Sequence, residues 1–538
     1  MLDKDIYVGY NGSKCIFCAK ERIKLCELVK KTEGRKMICK NFVKVLFPFW
    51  YAEEEENRRL EEITITNTKG NEKNLFEYFD FGDADLRQGV QELFAEKGNS
   101  SKIVDCYCLA YDARTHMQLP RRKEEMLQFY TRDKKGANPY LVAVQEIRVY
   151  LFESGVGFVE MECGFESSSV SDYIQCNYFL SEIKGGANYF VSSKKVWNDC
   201  EKRQEETEVR FTVKELLQNV LEHVPGVKDF YTGRSWNDTH EKGIVYSYLY
   251  LEEKPDDFES LIFNIRNNYK ESYKVPQQRY KSMKQDPTIC QQFDNSYWVT
   301  SYNGTINVSF KTEDETTNLF FERGFWSKMH CEYYVLFLAV LHQRFLLLKA
   351  MTETVGISNL NLNHEDTKRQ LVRIRNYRLR MHKQKCRAFF EKPSYIQHVN
   401  DYYEFIKTSY CVKELYSDLS ARLADLEQVC NVYVEKIKRH EDQMSKRRSA
   451  KIEIVVSVFG TLVGLVTVTN EAWGLVEKIS KVMERSFSIS VLIAMAVLWI
   501  PSSVVVYHNA AKKVKEIKDI TDEFEREAEA LKKEKETD

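Results

Sequence analysis

Two cysteines near the start of the chain, Cys15 and Cys18, have the spacing of a metal-binding pair. Thiolate sulfur is a preferred zinc ligand, and a closed tetrahedral site needs two further ligands. Cys26 and Cys39 could supply them, although their separation is not that of a second pair. The alternative is a helix with buried free thiols. The sequence favours that alternative, so we expect no bound cofactor.

The usual catalytic patterns are absent from the sequence. It contains no GxGxxG, no GxxxxGK[ST] and no HExxH, and its ten histidines are dispersed. The first two patterns hold phosphates on backbone N–H groups, and the third holds a catalytic metal. No nucleophile and base can be paired from sequence alone. We therefore expect that the protein is not an enzyme.

A basic stretch, Lys368–Arg387, carries nine Lys and Arg residues. Clusters of this kind are one signature of nucleic-acid binding. A helix with a solvated basic face explains the same pattern and is the interpretation that we prefer. The whole chain of 538 residues has a formal net charge of -1, which provides no long-range attraction for a polyanion. We therefore expect no direct nucleic-acid partner.

Two apolar runs near the C-terminus predict a transmembrane hairpin with spans at 452–469 and 487–507. No residue is charged from Ile454 to Thr469 or from Phe487 to Tyr507. Roughly 20 apolar helical residues cross a bilayer core. The second run has that length, and the first reaches it as the continuation of a preceding helix. Basic residues flank the pair on its outer sides: Lys446, Arg447, Arg448, Lys451, Lys512, Lys513, Lys515 and Lys518. They favour two cytoplasmic termini in a multi-pass protein of the cell inner (plasma) membrane.

The N-terminal part has no apolar signal segment, so we expect it in the cytosol, where its thiols stay reduced. Residues 75–330 alternate strand patterns, such as Ile244–Leu251, with helical patterns, such as Val213–His223, which predicts an α+β domain. Val149–Cys163 predicts a hairpin that turns at Ser154-Gly155. His330–Met351 is apolar enough to span a membrane, but its charged and polar residues favour a helix buried on the soluble domain.

A long helix is predicted upstream of the first span. Ile396–Ala450 contains neither Pro nor Gly, and its apolar residues recur at helical spacing. Continued into the first span, it would extend on the order of 100 Å. Such a helix cannot bury its apolar stripe within one small domain, so we expect a homo-oligomer.

This organisation resembles the CorA family of divalent-cation channels. We divide the chain into a cytosolic ligand-sensing domain (1–324), a helical stalk (325–451), the hairpin (452–511) and a charged cytosolic tail (512–538). The resemblance implies a homopentamer in which first spans line the pore. The family signature, Gly-Met-Asn at the outer end of the first span, is missing, because that place is Val468-Thr469-Asn470-Glu471. The missing signature counts against magnesium transport, so a constitutive magnesium-type transporter is the alternative function and not the favoured one.

The chain is more similar to a divergent CorA-like branch associated with type III CRISPR systems. That branch also lacks Gly-Met-Asn and has an enlarged cytosolic domain. The segments that carry the resemblance are LAVLHQRFLLL (Leu338–Leu348), VYLFESGVGFVEMEC (Val149–Cys163) and LIFNIRNNYKESYK (Leu261–Lys274). The resemblance implies a membrane effector of antiviral defence. A nucleotide messenger made by the CRISPR interference complex, a conjugate of S-adenosylmethionine with AMP, would open its pore and disrupt the membrane. A membrane-anchored enzyme or receptor without a pore is a third possibility.

Two groups of residues fit these roles. A messenger needs cations and donors for phosphate and aromatic faces for adenine. The predicted ligand-binding residues are Arg266, Asn267, Asn268, Tyr273, Lys274, Trp298 and Asn303. The predicted pore-lining residues are Ser457, Gly460, Thr461, Gly464, Thr467, Asn470 and Glu471. Small residues at this spacing also allow membrane helices to pack closely. For any single residue of the first group, an ordinary polar helix or hairpin is the explanation that the sequence favours.

Overall fold

The structure is a computed structural model of the chain. It describes residues 37–53, 58–66, 72–81, 86–91, 94, 102–132, 139–167, 169–183, 188–198, 203–230, 242–267, 286–358 and 364–480, together with positions 504, 508, 511, 512 and 515. The chain forms two compact units, Met1–Gln428 and Val429–Asp538. The sequence predicted a domain boundary between residues 324 and 325, and this position lies inside the first unit. The part of the predicted stalk that ends at Gln428 therefore belongs to the same unit as the sheet.

A large mixed sheet organises the first unit. The described strands are β1 (Ile38–Tyr51), β2 (Thr64–Thr66), β3 (Glu72–Asn74), β4 (Phe76–Tyr78), β5 (Val104–Leu109), β6 (Leu127–Tyr130), β7 (Tyr140–Phe152), β8 (Val156–Glu166), β9 (Tyr189–Asn198), β10 (Arg203–Phe211), β11 (Val227–Phe230), β12 (Ile244–Leu251), β13 (Ile289–Phe293), β14 (Ser296–Ser301) and β15 (Gly304–Phe310). In the large sheet they run in the order β10-β9-β6-β7-β8-β1-β12-β15-β14-β13, with β11 beside β1 and with β5 joining β4 to β7. The β12–β15 pair is parallel, and the other described pairs are antiparallel. Strands β2 and β3 form a separate ribbon.

The predicted hairpin at Val149–Cys163 is confirmed: β7 and β8 pair antiparallel, and Gly155 turns the chain with φ +73°. Glycine adopts this left-handed conformation without the steric cost of a Cβ atom. The predicted strand Ile244–Leu251 is β12. Strand β1 lies between β8 and β12 at the centre of the sheet, and the sequence did not predict it.

The helices follow the chain as α1 (Gln88–Gln91), α2 (Val170–Ser181), α3 (Val213–Leu221), α4 (Phe258–Asn267), α5 (Glu315–Leu319), α6 (Trp326–His330), α7 (Glu332–Ser358), α8 (His364–Ala388), α9 (Gln397–Ser409) and α10 (Val412–Ser480). Short 3-10 turns occupy Leu60–Glu62 and Tyr111–Met117, and a π turn occupies Phe320–Phe325. Helix α3 starts with a capping box in which Thr212 and Glu215 each bond the other's backbone N–H, a common N-terminal stabiliser.

The two faces of the sheet have different chemistry. One face is apolar and packs with α2, α3 and α4 in a single core that includes Val43, Val45, Val159 and Met161. Because strand side chains alternate, the intervening residues point to the other face. There the central strands present aromatic and charged side chains, among them Tyr246 and Glu160, toward α6 and α7.

Helix α7 covers this second face. Its residues from Tyr333 to Leu341 are almost fully buried. Among the described residues, the stretch Glu315–Val355 is the one long and apolar enough to cross a membrane, but 78% of its most apolar window is buried within the protein. A core helix of a soluble domain has the same composition. The prediction that His330–Met351 forms a helix buried on the sheet domain is therefore confirmed from Glu332, where α7 begins, whereas His330 lies in α6.

The predicted uninterrupted helix from Ile396 is wrong at its start. Helix α9 ends at Ser409, and α10 begins at Val412. Between them Cys411 has φ +52°, in the left-handed region that terminates helices. Val399, Tyr402, Tyr403 and Ile406 of α9 are buried, so packing on the domain overrides the continuity that the pattern indicates.

From Val412 onward the long helix is confirmed, since α10 is 69 residues long and includes the predicted first span. It continues through Ser480, into the segment predicted to link the two spans. The predicted second span, 487–507, lies outside the described residues except for position 504. Of the charged tail, only positions 512 and 515 are described.

Candidate functional site

Charged side chains are buried on the sheet face beneath α6 and α7. We call Lys44, Arg148, Glu160, Glu162 and His330 the buried charge cluster. Glu160 and Glu162 are fully buried, and Lys44 is 2% exposed. The Arg148 guanidinium donates to Glu160 Oε1 at 2.5 Å and to Glu162 Oε2 at 2.9 Å. The Lys44 ammonium lies 3.2 Å from Glu160 Oε1. Two cations therefore face two fully buried carboxylates. Arg148 also pairs with Glu146, which is 9% exposed and lies 3.1 Å from Lys123.

The cluster keeps both carboxylates ionised. Burial by itself would raise the pKa of Glu160 and of Glu162, because it disfavours the charged form. Lys44 and Arg148 more than offset burial, so the pKa of Glu160 lies below its ordinary value and that of Glu162 lies well below it. Burial lowers the pKa of His330, although Glu162 partly opposes it. At neutral pH the cluster therefore has ionised acids beside a neutral imidazole.

The cluster also joins the sheet to the helices above it. Glu160 Oε2 accepts hydrogen bonds from the Tyr150 hydroxyl on β7 and from the Tyr334 hydroxyl on α7. The Lys44 ammonium lies 3.9 Å from the centre of the Tyr334 ring. The position of α7 on the sheet therefore depends on charged partners as well as on apolar contact. This cluster was not predicted from the sequence, although charged residues at alternate positions of an apolar strand, Glu160 and Glu162, are the pattern that would have indicated it.

The structure brings part of the predicted ligand-binding group together. Arg266 and Asn267 end α4, and Asn303 lies in the turn between β14 and β15. The Asn303 amide donates to Asn267 O at 2.9 Å, and the Ser301 hydroxyl donates to Arg266 O at 2.5 Å. Two stretches chosen separately from the sequence thus meet at one end of the sheet. Both contacts satisfy carbonyls at the C-terminus of α4, where partners are needed.

The charge of Arg266 is already neutralised within the protein. Its guanidinium donates to Asp286 Oδ2 at 2.5 Å and to Thr288 Oγ1 at 2.6 Å. Burial would raise the pKa of Asp286, but bonds from Thr288 and Arg266 more than offset it and lower the pKa. A phosphate at this place would compete with Asp286 for the guanidinium.

Trp298 lies on the opposite face of β14, away from this group. Its ring is fully buried, with the Tyr402 ring 4.2 Å and the Tyr333 ring 5.1 Å away between centroids. Its indole N–H donates to Gln292 Oε1 at 2.8 Å. A messenger would reach this ring only if α7 or α9 moved. The remaining predicted ligand residues, Asn268, Tyr273 and Lys274, lie outside the described residues.

The turn between β14 and β15 also contacts the start of the long helix. The Tyr302 hydroxyl lies 3.1 Å from Cys411 Sγ. The Arg344 guanidinium of α7 lies 4.4 Å from the Tyr302 ring centroid and donates to Tyr410 O at 2.6 Å. One turn therefore touches α4 through Ser301 and Asn303, and the residue before α10 through Tyr302.

A second polar region lies between α7, α8 and the β7–β8 turn. The cleft there is lined by Glu53, Ser154, Leu346, Lys349, Ala350, Glu353, Tyr377, Arg380, Met381 and Gln384. Beside it, His342 Nε2 and Ser154 Oγ are 2.9 Å apart. Burial, followed by the nearby Lys349, lowers the pKa of His342 to about 3. Such an imidazole is too weak a base to activate serine efficiently at neutral pH. The Ser–His contact is therefore structural.

The predicted pore-lining residues all lie on α10, so the three- and four-residue steps from Ser457 to Glu471 place them along one side of a helix. Gly460, Gly464, Asn470 and Glu471 are exposed in the isolated chain. A Cβ atom at Gly460 or Gly464 would have no neighbour within 4 Å among the described atoms. The Thr467 hydroxyl donates to Val463 O at 2.5 Å within the helix.

Of the four N-terminal cysteines, only Cys39 is described. Its thiol donates to Glu252 Oε2 at 2.9 Å. Cys15, Cys18 and Cys26 lie outside the described residues.

Comparison with models of known protein families found no match, and no curated protein matches the chain.

Proposed function

We propose that the protein is a CorA-like membrane effector whose cytosolic sheet domain binds a nucleotide messenger and thereby opens a pore. The pore would be formed by the first spans of a homopentamer, with the second span as a peripheral support. The messenger would be of the S-adenosylmethionine–AMP type, made by a CRISPR interference complex. Loss of membrane integrity would be the antiviral output.

The observation that carries the proposal is the apolar surface of α10 at the predicted first span, 452–469. Ile452, Val455, Val456, Phe459 and Val463 are each 56–66% exposed in the isolated chain. Full burial of a side chain of this size stabilises by about 1.5–3 kcal/mol, so the five together favour removal from water by on the order of 10 kcal/mol. A bilayer with neighbouring helices provides that environment.

The contacts at the β14–β15 turn support a route for gating. Arg266 and Asn267 are bonded to Ser301 and Asn303, and Tyr302 contacts Cys411 immediately before α10. A messenger phosphate that displaces Asp286 from Arg266 would perturb the end of α4 and therefore this turn. A change in the turn would alter the direction in which α10 begins.

The small and polar stripe supports the assignment of the pore lining. Gly460 and Gly464 allow close approach of neighbouring helices, and hydroxyls at Ser457 and Thr467 would face water in the pore. Asn470 or Glu471 would form a ring at the outer mouth, and an acidic ring favours cations.

The test is release of a trapped dye from vesicles that contain the purified full-length protein. Release that requires the messenger is the expected result, and release of equal rate without it would refute gating. Gly464→Leu should block release, whereas Val463→Leu, one position away from the stripe, should not. Magnesium uptake without messenger, and without dye release, would instead support the constitutive transporter.

A further inference from the structure

The polar cleft between α7 and α8 contains two cations that share an internal carboxylate. Lys349 lies on α7, Arg380 lies on α8, and Glu53 follows β1. Glu53 Oε1 is 2.8 Å from Lys349 Nζ, and Glu53 Oε2 is 3.0 Å from the Arg380 guanidinium. One carboxylate therefore bridges two helices, with one oxygen on each cation. A phosphate group presents the same arrangement of oxygens.

Glu53 is the replaceable member of this group. Its side chain is 33% exposed, whereas that of Lys349 is 11% exposed and held by Ser154 O at 2.7 Å. Glu353, on α7, remains within 3.2 Å of Arg380 and 3.9 Å of Lys349. If Glu53 left, two cations would face one carboxylate, and the cleft would have an excess positive charge.

A buried amide in the same cleft lacks a partner. Gln384 is 7% exposed, and its Oε1 has no hydrogen-bond donor among the described residues. Its Nε2 donates to Glu153 Oε1 at 3.5 Å. This contact sets the orientation of the amide, because a flipped amide would place Gln384 Oε1 against the Glu153 carboxylate oxygen. An unsatisfied buried acceptor costs free energy that a ligand donor would recover.

The size of the cleft limits the ligand. Its free space is about 10 Å³, roughly enough for one water molecule, so a ligand enters only in place of the Glu53 carboxylate and has to be of similar size. We propose that Lys349, Arg380 and Gln384 form a binding site for a single phosphate group, and that Glu53 occupies this site as an internal carboxylate until phosphate displaces it. The site does not include the residues assigned to the messenger and does not depend on the proposed function.

Phosphate fits all three residues because at neutral pH it carries both anionic oxygens and a P–OH group. Its anionic oxygens match Lys349 and Arg380, and its remaining P–OH can donate to Gln384 Oε1. Sulfate has the oxygens but no hydroxyl at this pH. A site with an acceptor for that hydroxyl therefore prefers phosphate to sulfate.

The experiment measures thermal stability and calorimetric affinity of the full-length protein in phosphate-free detergent at pH 7 and constant ionic strength. Inorganic phosphate should raise the melting temperature more than sulfate does. Glu53→Gln should lower the melting temperature without phosphate and bind phosphate about five-fold more tightly, because the internal competitor has lost its charge. Arg380→Gln should abolish the phosphate effect. Gln384→Leu should remove the preference over sulfate.

Arg132→Gln is the matched control, since Arg132 forms a comparable exposed pair with Glu182 elsewhere. It should leave phosphate binding unchanged. Unaltered or weaker phosphate affinity in Glu53→Gln, or equal stabilisation of the wild type by sulfate, would overturn the proposal. A second arm adds phosphatidic acid or diacylglycerol to the detergent. Stabilisation by phosphatidic acid, lost in Arg380→Gln, would assign the phosphate to a lipid headgroup rather than to free phosphate.

Discussion

Replacing Glu160 with Gln tests the buried charge cluster directly. Glu160 is fully buried and accepts from Arg148, Tyr150 and Tyr334, with Lys44 3.2 Å away. The substitution keeps the volume and removes one negative charge, so three cations, Lys44, Arg148 and Lys123, then face only Glu146 and Glu162. Breaking a buried charge pair on one side costs about 3–5 kcal/mol, because the other charge stays without compensation. We expect a loss of this size in the free energy of unfolding.

The assay is guanidinium unfolding of the full-length protein in detergent, followed by near-ultraviolet circular dichroism of the buried aromatic residues. Lys44→Met combined with Glu160→Gln restores charge balance, so the double variant should lose at least about 2 kcal/mol less than the sum of the two single losses. Glu166→Gln, at the exposed end of the same strand, should change stability by less than about 0.5 kcal/mol. A loss below about 1 kcal/mol for Glu160→Gln, or strict additivity in the double variant, would refute the reasoning.

Three further predictions concern single residues. The folded protein holds the pKa of His342 at about 3, so the unfolded chain takes up the proton first, and stability falls as pH drops below about 6.5. This residue alone should account for about 2 kcal/mol between pH 7 and pH 5, and His342→Gln should flatten the measured profile by that amount. Cys411→Gly should stabilise the protein by about 0.5–1 kcal/mol by removing the strain of φ +52°; a melting temperature no higher than that of Cys411→Ala would contradict this. Trp298→Ala should cost about 3–5 kcal/mol in denaturant unfolding because it empties a fully buried site, whereas a loss below about 1 kcal/mol would place the ring outside the core.

Local sequence patterns predicted those helices and strands that a few neighbouring residues are enough to specify. The β7–β8 hairpin, strand β12, the start of α3 and the helix through the first span all follow from periods of 2 and 3.6 residues and from turn residues such as Gly155. The same patterns did not predict the break between α9 and α10 at Cys411, because nothing in the local sequence forbids a continuous helix there. There the burial of α9 on the sheet determines where the chain turns.

The sequence by itself determined the α+β character of the first part, the continuous helix from Val412 and the charge-free stretch within it, because side-chain periodicity and composition are local properties. Only the tertiary structure decided which side chains meet. It paired Glu160 with Lys44, Arg148 and Tyr334 from three elements, joined the end of α4 to the turn before β15, buried Trp298 and placed Glu53 between Lys349 and Arg380. These contacts link residues far apart in the chain, and their free energy depends on burial and mutual distance, which no short stretch of sequence contains.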